Sequence, residues 1–172
     1  MGKATTELLK EISGGLFTEK SKKMVSVFDE VFSYCVRQRA EWRCQYSGKP
    51  YFPKNEEGLG TKSKLNTCHI VGRTSYLTRW HPRNAVALNY FWHNERFDKA
   101  GEMWKNGSPG SELVTWRVGF LESIGYMQDE MQELYQLGQK PWDDRWDREA
   151  AQLLAFIKEV KSAKNYYPPS FK

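Results

Sequence analysis

Long apolar runs are missing from this sequence. Its mean hydropathy is −0.73, and no apolar stretch approaches the roughly eighteen residues that a membrane-spanning helix requires. The first fifteen residues, MGKATTELLKEISGG, contain no apolar segment of the kind that a secretory signal carries. We therefore expect a cytoplasmic protein with no membrane partner.

Cysteine is also scarce. The three cysteines, Cys35, Cys44 and Cys68, are an odd number, and no two of them form a Cys-x-x-Cys pair. A disulfide framework needs paired cysteines, so this composition argues against a disulfide-stapled secreted domain and favours a reducing compartment.

Acidic residues are few in the middle of the chain. Residues 37–83 contain ten Lys or Arg and three Asp or Glu, whereas the whole chain has a net charge of only +5. Such an excess suits a surface that faces phosphate, although a lysine-rich solvated surface has the same composition. Aromatic residues, in contrast, are plentiful at 15%, enough for a core and for stacking on unpaired bases.

The length of 172 residues is enough for one domain with a single core. We predict a mainly helical α+β domain over 1–172. Its parts are N-terminal helices within 1–43, a central α+β core over 44–105, C-terminal helices over 111–162 and a tail over 163–172.

Periodicity places the elements of this domain. Apolar residues at helical spacing predict a helix over 21–41, and the run 44–65 is rich in Gly, Pro, Asn, Lys and Ser, which is typical of an exposed loop. Short apolar runs predict strands over 65–71 and 85–89, with an irregular loop over 72–83 between them. Further helices are predicted over 3–12, 90–105, 111–124 and 126–137, and from Asp143 or Asp144 to Val160.

All three histidines lie in residues 66–98. Asn84 follows His69 by fifteen positions and His93 follows Asn84 by nine, so an ordered His, Asn, His series spans the predicted strand, loop and helix. The remaining histidine, His81, lies in the turn-like run RWHPRN and is interpreted as non-catalytic.

These residue types suit hydrolysis of a phosphodiester. His69, at the end of the first strand, has an imidazole whose ordinary pKa of about 6.5 makes it a candidate general base at neutral pH. His93, on the helix, would hold a divalent metal that neutralises charge on the phosphate and on the leaving oxygen. Asn84 would hydrogen-bond across the loop and shape the imidazole side of the site. Arg73 would contact the scissile phosphate with its forked guanidinium.

Each of these residues also has a purely structural explanation. A histidine on a strand is often a hydrogen-bonded structural residue, an asparagine near a proline is often a turn residue, and a histidine on an aromatic-rich helix is often packed in a core. The coincidence of all three at these spacings, inside a basic segment, favours the catalytic interpretation.

The order and spacing of His69, Asn84 and His93 resemble those of the HNH, or ββα-metal, endonucleases. Within that group the chain is similar to the phage NinG/Rap recombination endonucleases from about Phe32 to Asp98. The similarity is carried by FSYCVRQRAEWRCQYSGK, CHIVGR and TRWHPRN. It implies a ββα-metal core, in which two short strands and a helix hold one divalent metal against DNA. It also implies structure-selective cleavage of branched recombination intermediates with a magnesium-type metal.

The chain departs from this family in its cysteines. Relatives commonly carry two Cys-x-x-Cys pairs that bind a structural zinc, whereas the corresponding positions here hold Cys44 with Ser47 and Asn89 with Trp92. A Cys₄ site is therefore excluded, and no structural zinc is expected. We hypothesise that the aromatic run 90–92 supplies apolar packing in place of that metal.

Cys68 occupies the position directly before His69, where many HNH nucleases place an Asp or His as second metal ligand. We assign it as a metal ligand beside His93, with Mg²⁺ or Mn²⁺ as the expected cation, although a thiolate matches Mg²⁺ poorly. Three alternatives stay open: Cys68 is a buried small residue, the metal has one protein ligand and otherwise water, or the metal recruits another side chain from the helix. The helix offers Asn94, Glu95 and Asp98 for that role.

Five arginines in the basic part of the chain are candidates for contacts with DNA phosphates: Arg37, Arg39, Arg43, Arg79 and Arg83. The first three lie at or just beyond the end of the predicted helix 21–41, where cations also suit the negative end of the helix dipole. Both interpretations stay open for these three residues.

These features predict a metal-dependent DNA endonuclease, a phosphodiester hydrolase of phage origin that acts in recombination on branched or single-stranded DNA. The alternative is a nucleic-acid-binding protein on a degenerate HNH scaffold that does not cut, which the missing acidic ligand at position 68 favours. A third interpretation, a small partner-binding helical protein, rests on the C-terminal helices alone. A dimer would suit a two-fold DNA junction, but the sequence leaves the oligomeric state open.

Overall fold

The structure is a computed structural model, and it describes residues 3–13, 24–51, 64–141 and 146–163. The α-helices α1 to α7 are, in chain order, Lys3–Ser13, Met24–Arg39, Tyr76–Arg79, Lys99–Lys105, Glu112–Ser123, Gln128–Gly138 and Trp146–Ser162. The two strands, β1 and β2, are Leu65–His69 and Ala85–Asn89. A 3₁₀ turn covers Pro82–Asn84, and a π-helix, Trp92–Asp98, is continuous with α4. The described residues are therefore mainly helical with one small antiparallel sheet, which confirms the expected α+β class. None of the described helices combines the length and apolarity that a bilayer crossing demands.

Strands β1 and β2 form a two-stranded antiparallel sheet in which His69 lies opposite Ala85. β2 is buried from Ala85 to Leu88, which is why this apolar run forms a strand, and it matches its predicted bounds. β1 ends at His69, two residues before its predicted end. The side chain of Asn84 accepts a hydrogen bond from the backbone N–H of Val71 at 2.7 Å. Because this N–H is bonded to a side chain and not to β2, the ladder of strand hydrogen bonds does not continue there.

The sheet lies between two helices. Thr67 of β1 faces α2, where its Oγ1 lies 2.8 Å from the Oγ of Ser33. Asn66 of the same strand faces the π-helix, where its Nδ2 lies 3.2 Å from His93 Nδ1. Successive strand residues point to opposite faces, so β1 presents polar side chains to both helices.

Helix α2 packs onto the sheet through a buried apolar stripe. Phe28, Phe32 and Cys35 are at most 1% exposed, and they recur at the three- and four-residue spacing that places side chains on one helical face. The stripe also contacts α7, since Phe32 and Phe156 have ring centroids 6.1 Å apart.

Helix α2 ends in a sharp reversal of the chain. Glu41 and Trp42 have positive φ angles of 52° and 55°, a left-handed conformation that is costly for residues other than glycine. Burial of Trp42 offsets this cost: the residue is 1% exposed, and its Nε1 donates to Gln38 Oε1 at 3.1 Å. The reversal directs the next turn onto β2, where Gln45 N–H donates to the carbonyl of Ala87.

The segment between the strands is more regular than predicted. Instead of an irregular loop over 72–83, it contains α3 and the 3₁₀ turn. Trp80 anchors it, because the residue is fully buried and its Nε1 donates to Asp29 of α2 at 2.9 Å. One buried tryptophan in a polar run leaves no periodic signal, so the sequence pattern missed these turns.

The C-terminal helices lie close to their predicted positions. α5 begins after Ser111, whose Oγ accepts the N–H of Val114 at 3.3 Å as an N-cap. The last turn of α6 packs against the loop after β1. A Cβ on Gly138 would lie 2.7 Å from Val71 Cγ1, so the close approach requires glycine.

One buried cluster joins elements from along the described chain. Leu8 of α1, Leu88 of β2 and Leu153 of α7 all belong to it, which is the arrangement expected of a single core. The division of the chain into parts stays a prediction. The start of the helix predicted over 21–41, most of the loop 44–65, the predicted helix start at Asp143 or Asp144 and the tail after residue 163 lie outside the described residues.

Candidate active site

A polar cleft of about 590 Å³ lies beside β1, on the side away from β2. Helix α2 forms one wall and contributes Ser26, Asp29, Glu30, Phe32, Ser33 and Arg37. The other wall is formed by β1, the loop after it and the helix that begins at residue 90, and it contributes Asn66, Thr67, His69, Arg73, Tyr90, His93 and Asn94. The cleft therefore brings His69, Arg73 and His93 onto one surface.

His69 keeps one ring nitrogen free of internal hydrogen bonds. Its Nε2 lies 3.0 Å from the backbone carbonyl oxygen of Arg79, and since a carbonyl only accepts, Nε2 carries the proton. The neutral ring then has its lone pair on Nδ1, for which the described residues provide no hydrogen-bond partner. The ring packs against Phe32, with centroids 5.5 Å apart.

The surroundings of His69 hold its ring in the neutral form. Burial and the positive charge of Arg73 lower the pKa of His69 from 6.5 to about 4. Desolvation penalises the imidazolium, and a nearby cation does the same. At neutral pH His69 is therefore an unprotonated imidazole, the form that a general base needs.

Asn84 clamps the loop that follows β1. Its buried side chain accepts the N–H of Val71 at 2.7 Å through Oδ1 and donates through Nδ2 to the carbonyls of Val71 and Thr78, at 3.0 and 2.8 Å. These are the cross-loop hydrogen bonds expected of Asn84. Arg79 follows Thr78 directly, so the clamp also positions the carbonyl that holds the ring of His69.

His93 lies between a carboxylate and an amide. Its Nε2 is 3.1 Å from Asp98 Oδ2, and its Nδ1 is 3.2 Å from Asn66 Nδ2. A carboxylate accepts, so Nε2 carries the proton and Nδ1 accepts from the amide. Burial acts to raise the pKa of Asp98, but the hydrogen bond and charge of His93 outweigh it and the pKa is lowered. A carboxylate behind an imidazole makes the opposite nitrogen a stronger ligand.

The π-helix accounts for the pairing of His93 with Asp98. On an α-helix of 3.6 residues per turn, residues five apart point about 140° away from each other. The wider turn of Trp92–Asp98, with bonds between residues five apart, brings these two side chains to one side. π-helical turns within α-helices are frequent at functional sites.

Arg73 is an exposed cation on the rim of the cleft. Within the described part of the chain its guanidinium has no hydrogen-bond or ion-pair partner. Its charge nevertheless acts on the site, since it contributes to the lowered pKa of His69. A guanidinium in this position is free to take a phosphate in its forked geometry.

A divalent cation beside His93 would take His93 Nδ1 and, after a turn of its amide, the oxygen of Asn66. Oxygen donors suit Mg²⁺ and Mn²⁺, whereas imidazole is the more usual ligand of transition metals. Asp98 holds the other ring nitrogen and so lies behind the imidazole. Among residues 3–13, 24–51, 64–141 and 146–163, no three His, Cys, Asp or Glu side chains gather into a metal-binding group. A cation here would therefore have few protein ligands and complete its shell with water and phosphate, as Mg²⁺ commonly does.

Cys68 lies in the core and not on the wall of the cleft. The residue is fully buried, and burial raises the pKa of its thiol well above the usual value. The sulfur is therefore protonated at neutral pH, whereas a metal ligand must be the thiolate. The assignment of Cys68 as a metal ligand lacks geometric support, and the alternative of a buried small residue fits the structure.

Two of the arginines assigned to DNA hold secondary structure together. Arg79 forms a bidentate ion pair with Asp29 of α2, with N–O distances of 2.8 and 2.6 Å. Arg39 donates to the carbonyls of Pro82 and Ala85, each at 2.8 Å. Both guanidinium groups connect α2 to the segment between the strands.

The other three arginines differ in exposure. Arg37 is 5% exposed and donates to the carbonyl of Leu65 at 3.4 Å. Arg83 pairs with Glu130 of α6 at 2.8 Å, whereas Arg43 is exposed. Arg43 also donates to the carbonyl of Gly48 at 3.2 Å, and contact with DNA stays a prediction for all five arginines.

His81 does not line the cleft, and its interpretation as non-catalytic stays a prediction. Its Nδ1 accepts the N–H of Arg83 at 3.3 Å and so caps the 3₁₀ turn. Burial and the charge of Arg83 lower its pKa. His81 is therefore a histidine with a structural contact and a similar electrostatic setting, which makes it a matched control for His69.

An aromatic cluster surrounds Trp92, one of the positions at which the family that the sequence resembles carries a zinc-binding cysteine. Tyr46 packs on Trp92 with ring centroids 4.1 Å apart, and Trp92 stacks on Trp116 at 5.8 Å. These contacts support the packing hypothesis for Trp92. Tyr90 and Phe91, however, stay 67% and 53% exposed, so packing does not account for them.

Backbone pairing adds to this cluster. Gln45 N–H donates to the carbonyl of Ala87 at 2.9 Å, and Gln45 Oε1 accepts the N–H of Ala87 at 2.7 Å. The turn after Cys44, which is fully buried, is thereby joined to β2 without a metal. The absence of a structural zinc stays a prediction.

The chain matches no family model, no curated protein and no solved structure. The resemblance to HNH endonucleases therefore stays a prediction, and the site rests on its own geometry. Sequence reasoning missed Asn66 altogether and named Asp98 only as one of three helix residues. No local pattern pointed to Asn66, because its place in the site depends on the contact between β1 and the π-helix.

Proposed function

We propose that this protein is a metal-dependent endonuclease of the HNH type, which hydrolyses phosphodiester bonds in DNA. The observation that carries the proposal is the composition of the cleft. Two imidazoles line it, each with its Nε2–H held by an acceptor, beside a guanidinium that has no partner among the described residues. These groups can supply the base, the metal ligand and the phosphate contact that hydrolysis needs.

His69 acts as the general base. Its Nδ1 takes a proton from a water molecule while the water oxygen attacks phosphorus; the bond from phosphorus to the 3′-oxygen breaks, and this oxygen takes up a proton from solvent. The Arg79 carbonyl keeps the ring oriented through Nε2. A pKa of about 4 makes a weak base in the free protein. A DNA phosphate beside Arg73 would offset the positive charge that lowers this pKa and would raise it toward neutrality. The substrate thereby strengthens the base that acts on it.

His93 would hold a metal through Nδ1, and Asp98 fixes the ring by accepting its Nε2–H. When bound, the cation supplies a Lewis acid that neutralises charge on the phosphate and the leaving 3′-oxygen. Asn66 replaces Cys68 as the second candidate ligand. Its amide already contacts Nδ1, and a rotation about its last torsion exchanges the nitrogen for an oxygen ligand.

The remaining residues position the reaction. Arg73 takes the scissile phosphate, and Asn84 keeps the loop after β1 in the shape that His69 needs. Phage origin, a part in recombination and a preference for branched DNA rest on the family resemblance alone.

A cleavage assay tests the function. The protein is incubated with supercoiled, single-stranded and four-way-junction DNA in Mg²⁺, Mn²⁺ or EDTA, beside His69→Ala and His81→Ala. We expect cutting in Mg²⁺ or Mn²⁺, none in EDTA, and loss of cutting in His69→Ala only. Cutting that persists in EDTA, or that survives the loss of His69, would contradict the mechanism.

A second candidate function is DNA binding without cleavage. It is favoured by the shortage of grouped metal donors in the part of the chain that the structure describes and by the protonated, buried thiol of Cys68. Salt-sensitive binding with no cutting in either metal would support it over the endonuclease.

A further inference from the structure

Two exposed aromatic rings stand beside the cleft without an internal explanation. Tyr90 is 67% and Phe91 is 53% exposed, although aromatic side chains usually contribute their area to a core. Trp92, the next residue, packs against Tyr46 and Trp116. Trp92 therefore packs against the turn that carries Tyr46, whereas Tyr90 and Phe91 stay exposed to solvent.

These rings are continuous with the cleft. Tyr90 lines it, together with His93 on the same helix. Phe91, the next residue, stands edge-on to Trp92 with centroids 5.1 Å apart, and Tyr46, which is 40% exposed, also packs on Trp92. We call these three exposed rings, Tyr46, Tyr90 and Phe91, the aromatic face; Tyr90 is the one that lines the cleft.

The area of the aromatic face limits its occupant. A fully buried aromatic side chain covers about 150–250 Å², so Tyr90 and Phe91 at their exposures offer at most about 300 Å². A specific protein partner usually covers about 800 Å². The two rings are too small for such an interface by themselves, but they match the flat faces of one or two nucleobases.

Charge around the aromatic face favours a polyanion. Residues 43–51 and 84–93, which carry all three rings, contain no Asp or Glu. Arg43 and Lys49 flank Tyr46 in its turn, and both are exposed. In space, Asp29 and Glu30 line the cleft with Tyr90, and Glu112 borders the same surface as Tyr46; of these acids, Asp29 is paired with Arg79. Exposed aromatic rings next to exposed cations are the combination that binds single-stranded nucleic acid.

We propose that the aromatic face binds unpaired bases of the DNA strand whose phosphate lies in the cleft, with Tyr90 and Phe91 each stacking on a base. This inference rests on the proposed function, because the cleft must hold a phosphate for the strand to pass over the rings. Bases in a duplex stack on one another and present only their edges. The aromatic face therefore selects DNA that is single-stranded or locally open next to the scissile bond.

A binding experiment tests this inference without catalysis. Fluorescence anisotropy in EDTA measures the affinity of a labelled single-stranded 20-mer and of its duplex for wild type, Tyr90→Ala, Phe91→Ala and the double variant. Loss of one stacked base should weaken single-strand binding roughly five-fold or more, with duplex affinity unchanged. Trp104→Ala is the matched control, since Trp104 is 45% exposed and stacks on Tyr135 away from the cleft.

Several results would overturn the inference. Equal losses of affinity for single-stranded and duplex DNA would show that the rings contact DNA without preferring unpaired bases. Unchanged affinity in the double variant would show that the rings do not contact DNA. Full affinity in a Tyr90→Leu/Phe91→Leu variant would replace stacking by apolar contact. A dimer in sedimentation velocity that dissociates in the double variant would assign the aromatic face to a second copy of the chain.

The same variants separate this inference from the proposed function. If wild type fails to cut any DNA in Mg²⁺ or Mn²⁺ but the single-strand affinity falls as expected, the base-stacking site stands and the endonuclease does not. If wild type cuts DNA and the double variant binds single strands like wild type, the endonuclease stands and the aromatic face does not. Circular dichroism melting confirms that these exposed substitutions leave the fold intact.

Discussion

The strand end that carries His69 and the π-helix that carries His93 hold their imidazoles in the same way but with different acceptors. In both, Nε2–H is fixed and Nδ1 keeps the lone pair. The acceptor is the neutral carbonyl of Arg79 for His69, at 3.0 Å, and the carboxylate of Asp98 for His93, at 3.1 Å.

The charge of the acceptor separates the two roles. The carbonyl of Arg79 carries no charge that would stabilise the imidazolium of His69. Burial and the charge of Arg73 therefore lower its pKa to about 4, and the ring is neutral at neutral pH. A carboxylate makes the opposite ring nitrogen a better metal ligand. Under the proposed function, one residue type would serve two roles, according to which acceptor holds its Nε2–H.

Removal of the base should have the largest effect. His69→Ala should lower the single-turnover cutting rate by roughly 10²–10⁴-fold, the range for loss of a general base. Affinity for Mn²⁺, measured by calorimetry, should stay unchanged, because the proposed metal ligand is His93. His81→Ala should cut like wild type. Loss of Mn²⁺ affinity in His69→Ala would assign this ring to the metal instead.

Removal of the loop clamp should chiefly affect stability. Asn84→Ala leaves the Val71 N–H and two carbonyls without their partners inside the protein. Each unsatisfied buried group costs about 1–3 kcal/mol, and partial relaxation should leave a loss of roughly 3 kcal/mol in the free energy of unfolding, measured in urea. A loss below about 1 kcal/mol would show that Asn84 does not hold the loop.

The lowered pKa of His69 also predicts how stability depends on pH. Between about pH 4 and 6.5 the unfolded chain binds a proton at this residue that the folded chain does not, so stability rises with pH across that window. The contribution of this one group amounts to roughly 3 kcal/mol. Urea titrations of wild type and His69→Gln should differ by this slope. Equal slopes would place the pKa of His69 near its ordinary value.

Weakening the carboxylate behind His93 should affect the metal. Asp98→Asn keeps the size of the side chain but removes its charge, and we expect a 10- to 100-fold loss of Mn²⁺ affinity, the usual range for such partners. Glu95→Gln is the matched control, because Glu95 pairs with Lys99 and not with a histidine. Equal losses in the two variants would indicate a general effect of charge.

Removal of Arg73 should weaken DNA binding and raise the pKa of His69, with smaller effects than the changes above. Arg73→Ala should weaken DNA binding about ten-fold in EDTA through the lost phosphate contact. It should also raise the pKa of His69, because one cause of its depression is gone. NMR titration of the ring resonances measures this rise. A pKa that stays at its wild-type value would mean that burial alone sets it.

How much the sequence could predict differs between the two regions. The bounds of β2 follow from its apolar run, which is a local signal, whereas the expectation that His69, Asn84 and His93 share one site came from the order and spacing of the series that resembles the HNH nucleases. The pairing of His93 with Asp98 follows from neither signal, because α- and π-helical turns share the same apolar pattern and differ only in which residues face one another.

The arginines and Cys68 show a second limit of sequence reasoning. Arg79 is a residue type that often binds phosphate, but its guanidinium is paired with Asp29, fifty residues earlier in the chain. Cys68 has the right position for a ligand but lies in the core. Both outcomes depend on tertiary contacts between distant elements, and neither leaves a trace in a local pattern.

Chemical rescue tests the division of labour between the two histidines most directly. Cutting of supercoiled DNA is measured for His69→Gly and His93→Gly while either imidazole or Mn²⁺ is added in increasing concentration. The mechanism predicts that free imidazole restores cutting by His69→Gly, because a diffusible base can enter the space, and that added Mn²⁺ restores cutting only by His93→Gly. Restoration of His69→Gly by Mn²⁺, without any response to imidazole, would contradict the assignment of His69 as the base.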